Sequence, residues 1–221
     1  MHIATPVYRG EPSAATRKTV DGILAIHGGV WRKLPGCPWV GNARSELAGD
    51  FLSGTYSHML WIDADISFPP ATVETMLRAN ASIITCAYRR RKPPYDWAAQ
   101  SLDGRDLSFS PERRLSSGER IIEIESDGLG CCLMRREVIE FMSRRYRSPW
   151  LGPKLGYLNR AGLPRVHLFA HGVETVDGFR RAIGEDEAFF MRARACGFKI
   201  ECLADATTWH DGVKGRLGLE L

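Results

Sequence analysis

Over its first 90 residues the chain alternates between short apolar runs and segments of helical spacing. "HIATPVY" reads as a strand, stopped by Gly10 and Pro12. "SAATRKTVDGILAIHG" has helical period, a Ser13 start signal, and Gly28 and Gly29 as a stop. A short strand is expected near "WRKLPG", then a helix over "ARSELAGDFLSG" ended by Gly54. "HMLWID" is apolar enough to be a strand buried on both sides. "PPATVETMLRA" places prolines at a helix start, where their missing N–H costs nothing, and "ASIITCAY" returns as a strand. Strand and helix in alternation mean a mostly parallel central sheet with crossover helices on its faces. The expected class is therefore α/β.

The rest of the chain is less regular. Residues 89–120 are rich in Pro, Arg, Ser, Asp and Gly and are expected to form an excursion with a hairpin. "RIIEIES" is a short alternating strand, and "GLGCCLMRREVIEFMSRRY" reads as strand, turn and helix. Residues 147–183 look like a second loop region. "EDEAFFMRARACG" is a helix followed by the strand "KIECLAD", and the segment from "TTWHDG" is expected to be an irregular tail.

A chain of 221 residues can bury one good core. No apolar run reaches the roughly 18 residues of a membrane span. The N-terminus reads as a strand rather than a secretory leader, so a cytoplasmic protein with no membrane contact is expected. The cysteines Cys37, Cys86, Cys131, Cys132, Cys196 and Cys202 show neither a CxxC pair nor a zinc spacing, which points to reduced thiols. The adjacent pair should face opposite sides of a strand. The net charge of +4 is modest, but arginines gather at 88–92, 111–114 and 143–147, a pattern that suits either solvated faces or a polyanionic partner.

Asp63 and Asp65 stand one residue apart where "HMLWID" ends. In open α/β sheets ligands bind beyond the carboxyl ends of the strands. Two like charges that close repel, so a hard divalent cation is a natural third member, although a capped polar loop gives the same pattern.

Five segments occur in order: "ATPVYRG" (4–10), "GNARSELAGDFL" (41–52), "HMLWIDADISFPP" (58–70), "DGLGCCLMRREVIEFM" (127–142) and "GEDEAFFMRARACGFKIECLADATTWHDG" (184–212). Together they resemble the GT-A class of nucleotide-sugar glycosyltransferases, particularly its compact phage and bacterial forms. The resemblance covers most of the chain outside roughly 89–125 and 147–180. It implies a single GT-A (Rossmann-like) domain over 1–221, with a nucleotide-sugar half (1–88) and an acceptor half (89–221). It implies metal binding by Asp63, Asp65 and His210, with Asp65 the more direct ligand. Mn²⁺ suits the mixed Asp/His set, with Mg²⁺ the alternative. Thr5, Pro6 and Tyr8 would meet the base and ribose of a donor, expected to be a UDP-sugar; Tyr8 also suits a core aromatic. Arg44 would grip the diphosphate, unless it lies on a solvated helix face, and Asn42 would cap that helix. Glu185 and Asp186 would face the acceptor, with Asp186 as base for inversion, although an acidic helix start has a purely electrostatic reading too. A retaining route is open if Asp186 cannot reach. Gly128 and Gly130 would let backbone approach the sugar or acceptor.

The expected reaction is sugar transfer to a hydroxyl. Arginines together with Tyr88, Tyr95, Trp97, Tyr146, Trp150 and Tyr157 in the variable segments suit nucleic acid. Compact phage enzymes of this class glucosylate hydroxymethylated bases, so 5-hydroxymethylcytosine in DNA is the favoured acceptor and a phage-infected bacterium the setting. The alternatives are a glycan or protein hydroxyl, an inactive nucleotide-sugar-binding module, and a nucleotidyltransferase. The last lacks its Gly-rich, Lys-ended phosphate loop here.

Overall fold

The computed structural model describes residues 1–146, 167–176, 179–211 and 213–215. The expected strand–helix alternation is present: β1 (His2–Val7), α1 (Ala14–His27), β2 (Val30–Pro35), α2 (Val40–Ser53), β3 (His58–Ile62), β4 (Ile66–Ser67), α3 (Thr72–Ala79) and β5 (Ile83–Thr85). It continues through β6 (Glu112–Arg114), β7 (Arg120–Ile124), β8 (Cys131–Arg135), α4 (Arg136–Arg145), β9 (Gly172–Val176), β10 (Phe179–Ile183), α5 (Glu185–Ala195), β11 (Ile200–Leu203), β12 (Thr208–His210) and β13 (Val213–Gly215). Eight strands form the central sheet in the order β2-β1-β3-β8-β5-β11-β7-β6. β8 and β7 run against the common direction of the other strands.

The period-2 alternation of strand side chains sorts the core into two layers. Met59 and Trp61 of β3 pack with Leu47 and Phe51 of α2, Val138 and Ile139 of α4, and Phe189 and Phe190 of α5. Leu60 and Ile62 pack on the other face with Val20 and Ile23 of α1 and Val73 and Met76 of α3. Cys131 and Cys132 divide between the two layers as expected for neighbours on a strand, and all six thiols are free. No helix among the described residues is long and apolar enough to cross a membrane.

Three expectations are corrected. The "TTWHDG" segment is not an irregular tail: β12 pairs antiparallel with both β4 and β13 in a small separate sheet. Strands of two or three residues leave no periodic signal, and the pairing joins positions more than 140 residues apart. The 147–183 region contains the β9–β10 hairpin, although Trp150 and Tyr157 lie outside the described residues. Asn42 does not cap α2: it is exposed inside the helix, which starts at Val40 after an N-cap Trp39 that offers no side-chain bond.

Candidate active site

The turn that carries Asp63 and Asp65 is clamped from one side by α1. Ser13 caps that helix, its hydroxyl accepting from Thr16 N at 3.0 Å, and its own N–H donates to Ala64 O at 2.8 Å. Thr16 Oγ1 lies within donating distance of Ala64 O (3.1 Å) and Ile66 O (2.9 Å), and Thr19 donates to Phe68 O at 3.0 Å. These three hydroxyls recur every third residue along the helix face that also buries Val20 and Ile23. Polar residues on an otherwise apolar stripe were the available signal, and sequence reasoning passed over it. On the other side, Asp63 N–H donates to Gly130 O at 3.1 Å, extending the β3–β8 ladder by one rung.

The strand pairing brings the imidazole in. In the β4–β12 register His210 sits opposite Ile66, and Asp211 N–H donates to Asp65 O at 2.8 Å. His210 Nε2 is then 3.6 Å from Asp65 Oδ2. Its Nδ1 faces Arg89 O at 2.9 Å, which fixes the ring and leaves Nε2 aimed at the carboxylate. Arg91 Nη1 meets the same Asp65 oxygen at 2.8 Å. Burial opposes the Asp65 charge, but His210 and Arg91 hold its pKa below the ordinary carboxylate value. Burial likewise opposes His210 protonation, and Asp65 with the Arg89 carbonyl outweighs it, so the imidazole pKa is raised.

Asp63 turns the other way, toward Arg44. The guanidinium Nη2 donates to Asp63 Oδ1 at 3.0 Å and Oδ2 at 3.3 Å. Arg44 Nε lies 3.4 Å from Asp186 Oδ1 and 3.8 Å from Glu185 Oε1. The Arg44 side chain is only 1 % exposed, over the Trp61 ring at 5.4 Å. It does not lie on a solvated helix face. Burial alone would lower its pKa; the charges of Asp63, Asp186 and Glu185 hold it above the free value. Burial raises the Asp63 pKa, partly offset by Arg44. Burial also pushes Asp186 up to about 7, against Arg44 and with the Glu185 and Asp63 charges. Leu129 N–H supports that carboxylate, while its Oδ1 has no hydrogen-bond partner.

Beyond the carboxyl ends of β1 and β3 lies a cavity of about 630 Å³, walled by Pro6, Tyr8, Val40, Asp63, Asp65 and Arg91. Tyr8 is 58 % exposed with the Arg9 guanidinium 5.0 Å from its ring, so it is not a core aromatic. Thr5 is fully buried and accepts from Trp31 Nε1 at 2.9 Å; its hydroxyl does not face the cavity. Gly128 and Gly130 have a different neighbour from the one expected. A Cβ at Gly128 would stand 1.8 Å from the Tyr88 hydroxyl, and one at Gly130 would stand 2.9 Å from it. The space these glycines leave is taken by a buried phenol that accepts from Gly130 N at 3.3 Å and packs its ring edgewise on His210. Tyr88 is thus a core support of the site and not an acceptor-facing aromatic.

The arginine clusters are also largely engaged. Arg113 donates to Glu201 at 2.7 and 3.0 Å and to Ala79 O, and Arg114 and Arg120 both pair with Glu112. In the third cluster Arg145 lies over Tyr146, and Arg147 falls outside the described residues.

Sequence reasoning gave Asp127 no role. It is buried, accepts from Gly128 N at 2.7 Å, and its Oδ2 has no hydrogen-bond partner. Burial, against help from Thr85 and Gly128, raises its pKa from 3.8 to about 8. The folded chain therefore keeps a proton that the unfolded chain releases, and stability from this group falls as pH rises from about 4 to about 8. Asp127→Asn should remove that loss. The expected gain in urea denaturation is on the order of 4 kcal/mol at pH 7, shrinking to nothing near pH 4. A gain independent of pH would contradict the assignment.

Fold and site together define a mixed α/β protein with an acidic cleft at the carboxyl edge of its parallel strands. Neither a family model nor a curated protein sequence matches the chain. Among solved structures, the crystal structure of A197 from STIV aligns over 95% of this chain and 84% of that one, with TM-score 0.53 and 15% identity. That likeness is one of fold. A glycosyltransferase involved in glycosylation of the major capsid of PBCV-1 aligns more distantly, over 67% of this chain and 68% of that one, with TM-score 0.35 and 17% identity.

Proposed function

We propose that the protein is a GT-A glycosyltransferase that moves a sugar from a nucleoside-diphosphate donor to a hydroxyl. The observation that carries this reading is the convergence of Asp65 and His210 beside a cavity at the β1 and β3 ends, with Asp186 held behind it through Arg44. A nucleotide sugar needs a mouth of that size, a place for base and ribose along Pro6 and Tyr8, and countercharge for its diphosphate.

The residues present fit a divalent cation as a two-ligand site. Among the described residues no group of three His, Cys, Asp or Glu side chains is arranged to hold a metal ion, and Asp63 is turned to Arg44 instead. Asp65 Oδ2 and His210 Nε2 nevertheless face each other, the imidazole is backed by a carbonyl, and a guanidinium already occupies the cation's side of Asp65. Mn²⁺ suits such a pair, with Mg²⁺ the alternative, and when bound it would offset the charge of the leaving diphosphate. Arg91 and the cation compete for one oxygen. Arg91→Ala should therefore bind Mn²⁺ roughly tenfold more tightly than the parent in the absence of any nucleotide, read by the loss of the free-ion electron paramagnetic resonance signal. Equal affinities would separate Arg91 from the metal site.

In the reaction the bond from the sugar's anomeric carbon to the donor phosphate breaks. A bond to the acceptor oxygen forms, and the acceptor's proton passes to Asp186. A carboxyl near 7 is well matched to a general base at neutral pH. Glu185 lies beside it as a second acidic group on Arg44. Attack from the Asp186 side inverts the anomeric centre. The test is a pH profile: kcat should rise through about pH 7 and level off, and Asp186→Asn should lose roughly 10²–10⁴-fold with the melting curve retained. A profile flat from pH 5 to 9 in the parent would remove Asp186 as the base. Two acceptors are compatible with this chemistry: hydroxymethylated DNA, for which the exposed Arg90–Lys92 stretch speaks although only Arg91 of it lines the cavity, and a glycan hydroxyl, which the second cavity described below favours.

A further inference from the structure

A second cavity, of about 910 Å³, shares the 89–97 loop with the acidic one, and the donor reading gives it no task. Arg91 of that loop faces Asp65, whereas Arg89, Asp96 and Trp97 line the second cavity along with Gln100, Arg105 and Glu125. Its floor is rigid: Gln100 N donates to Ser126 O and Glu125 N to Gln100 O, both at 2.8 Å, so the Gln100 and Glu125 side chains are set on one short antiparallel bridge. Trp97 is held with the Arg89 guanidinium 4.5 Å from its ring.

The charges in this wall are balanced in a way that disfavours a polyanion. Arg105 is paired with Asp103 at 2.5 Å and Arg120 with Glu112 at 3.1 Å, so a phosphate would have to displace carboxylates. What remains without a side-chain partner among the described residues is two carboxylates, Asp96 and Glu125, and the Gln100 amide. Planar acceptors and an amide around a fixed indole suit the hydroxyls and C–H faces of a sugar. The position also suits transfer. From Glu125 the chain runs directly into the Asp127–Gly130 turn, whose Leu129 N–H touches Asp186.

We infer that this cavity is a saccharide-binding site, and that it holds the acceptor glycan. The second half of that statement rests on the transferase reading; the first does not. The test is saturation-transfer NMR on the whole chain with methyl glycosides and disaccharides of glucose, galactose, mannose and N-acetylglucosamine, alongside a short duplex containing 5-hydroxymethylcytosine. At least one saccharide should bind. Glu125→Ala and Gln100→Ala, both surface-accessible changes, should each weaken it roughly tenfold, while nucleoside diphosphate binding is unchanged. Absence of saccharide binding, binding unaltered in both variants, or binding of the duplex in place of every saccharide would each overturn the inference. Asp65→Asn separates the two readings: it should leave saccharide binding intact. Saccharide binding without any donor hydrolysis in the parent would sink the transferase reading alone.

Discussion

Asp65→Asn should abolish sugar transfer and donor hydrolysis, by at least about a thousandfold, while leaving the protein folded. The size follows from what the carboxylate does. Among the described residues it is the carboxylate that faces His210, at 3.6 Å, and a cation, Arg91, already meets the same oxygen at 2.8 Å. Asparagine keeps the shape and one acceptor oxygen but not the charge. The fold should tolerate the change because the turn's backbone carbonyls are held by Ser13 N–H, the Thr16 hydroxyl and Asp211 N–H and not by the carboxylate. The thermal midpoint should therefore move by only a few degrees. Addition of EDTA to the parent should reproduce the loss, and excess Mn²⁺ should restore the parent but not the variant. A variant with parental turnover, or a parent indifferent to EDTA, would falsify the metal-assisted reading.

The legibility of this arrangement divides by the range of the interactions. Local signals sufficed for the β1–α1–β2–α2–β3 order, because each element there carries its own period and its own stop at Gly28 or Gly54. They sufficed for the Asp63/Asp65 pair as well, since an apolar strand running out into two carboxylates is a contiguous pattern. The place of His210 came from resemblance, and its physical cause is the pairing of β4 with β12, which no window of sequence contains. The same holds for Tyr88. Its aromatic ring in an arginine-rich stretch looked like a surface binder, but the absence of side chains at Gly128 and Gly130, 40 residues on, creates the slot that buries it. Arg44 was legible as a basic residue on the right helix. That it is buried among three carboxylates depends on where α5 starts relative to α2, which only the packed structure fixes.

That buried position makes Arg44→Met the substitution with the largest expected cost in stability. Asp63, Asp186 and Glu185 share this guanidinium, and methionine would leave three carboxylates facing one another with no cation between them. Removing one partner from a buried charge cluster costs about 3–5 kcal/mol, more than a methionine regains by packing on Trp61. The dependence on pH distinguishes this from simple loss of packing. Asp63 and Asp186 already have raised pKa values, chiefly from burial, with Arg44 opposing the rise. Without Arg44 both should rise further, so the folded variant binds protons that the unfolded chain releases. Its stability should then be greatest in mild acid and fall as pH rises through neutrality, and the gap from the parent should close toward pH 4. Urea denaturation at pH 4.5, 6 and 7.5 reads the slope directly. Arg44→Met combined with Asp63→Asn and Asp186→Asn should recover most of the loss at pH 7.5, because the repulsion is removed with the charges. A deficit that stays constant with pH, or that the triple variant fails to recover, would assign Arg44 to packing alone and leave the three carboxylates electrostatically independent.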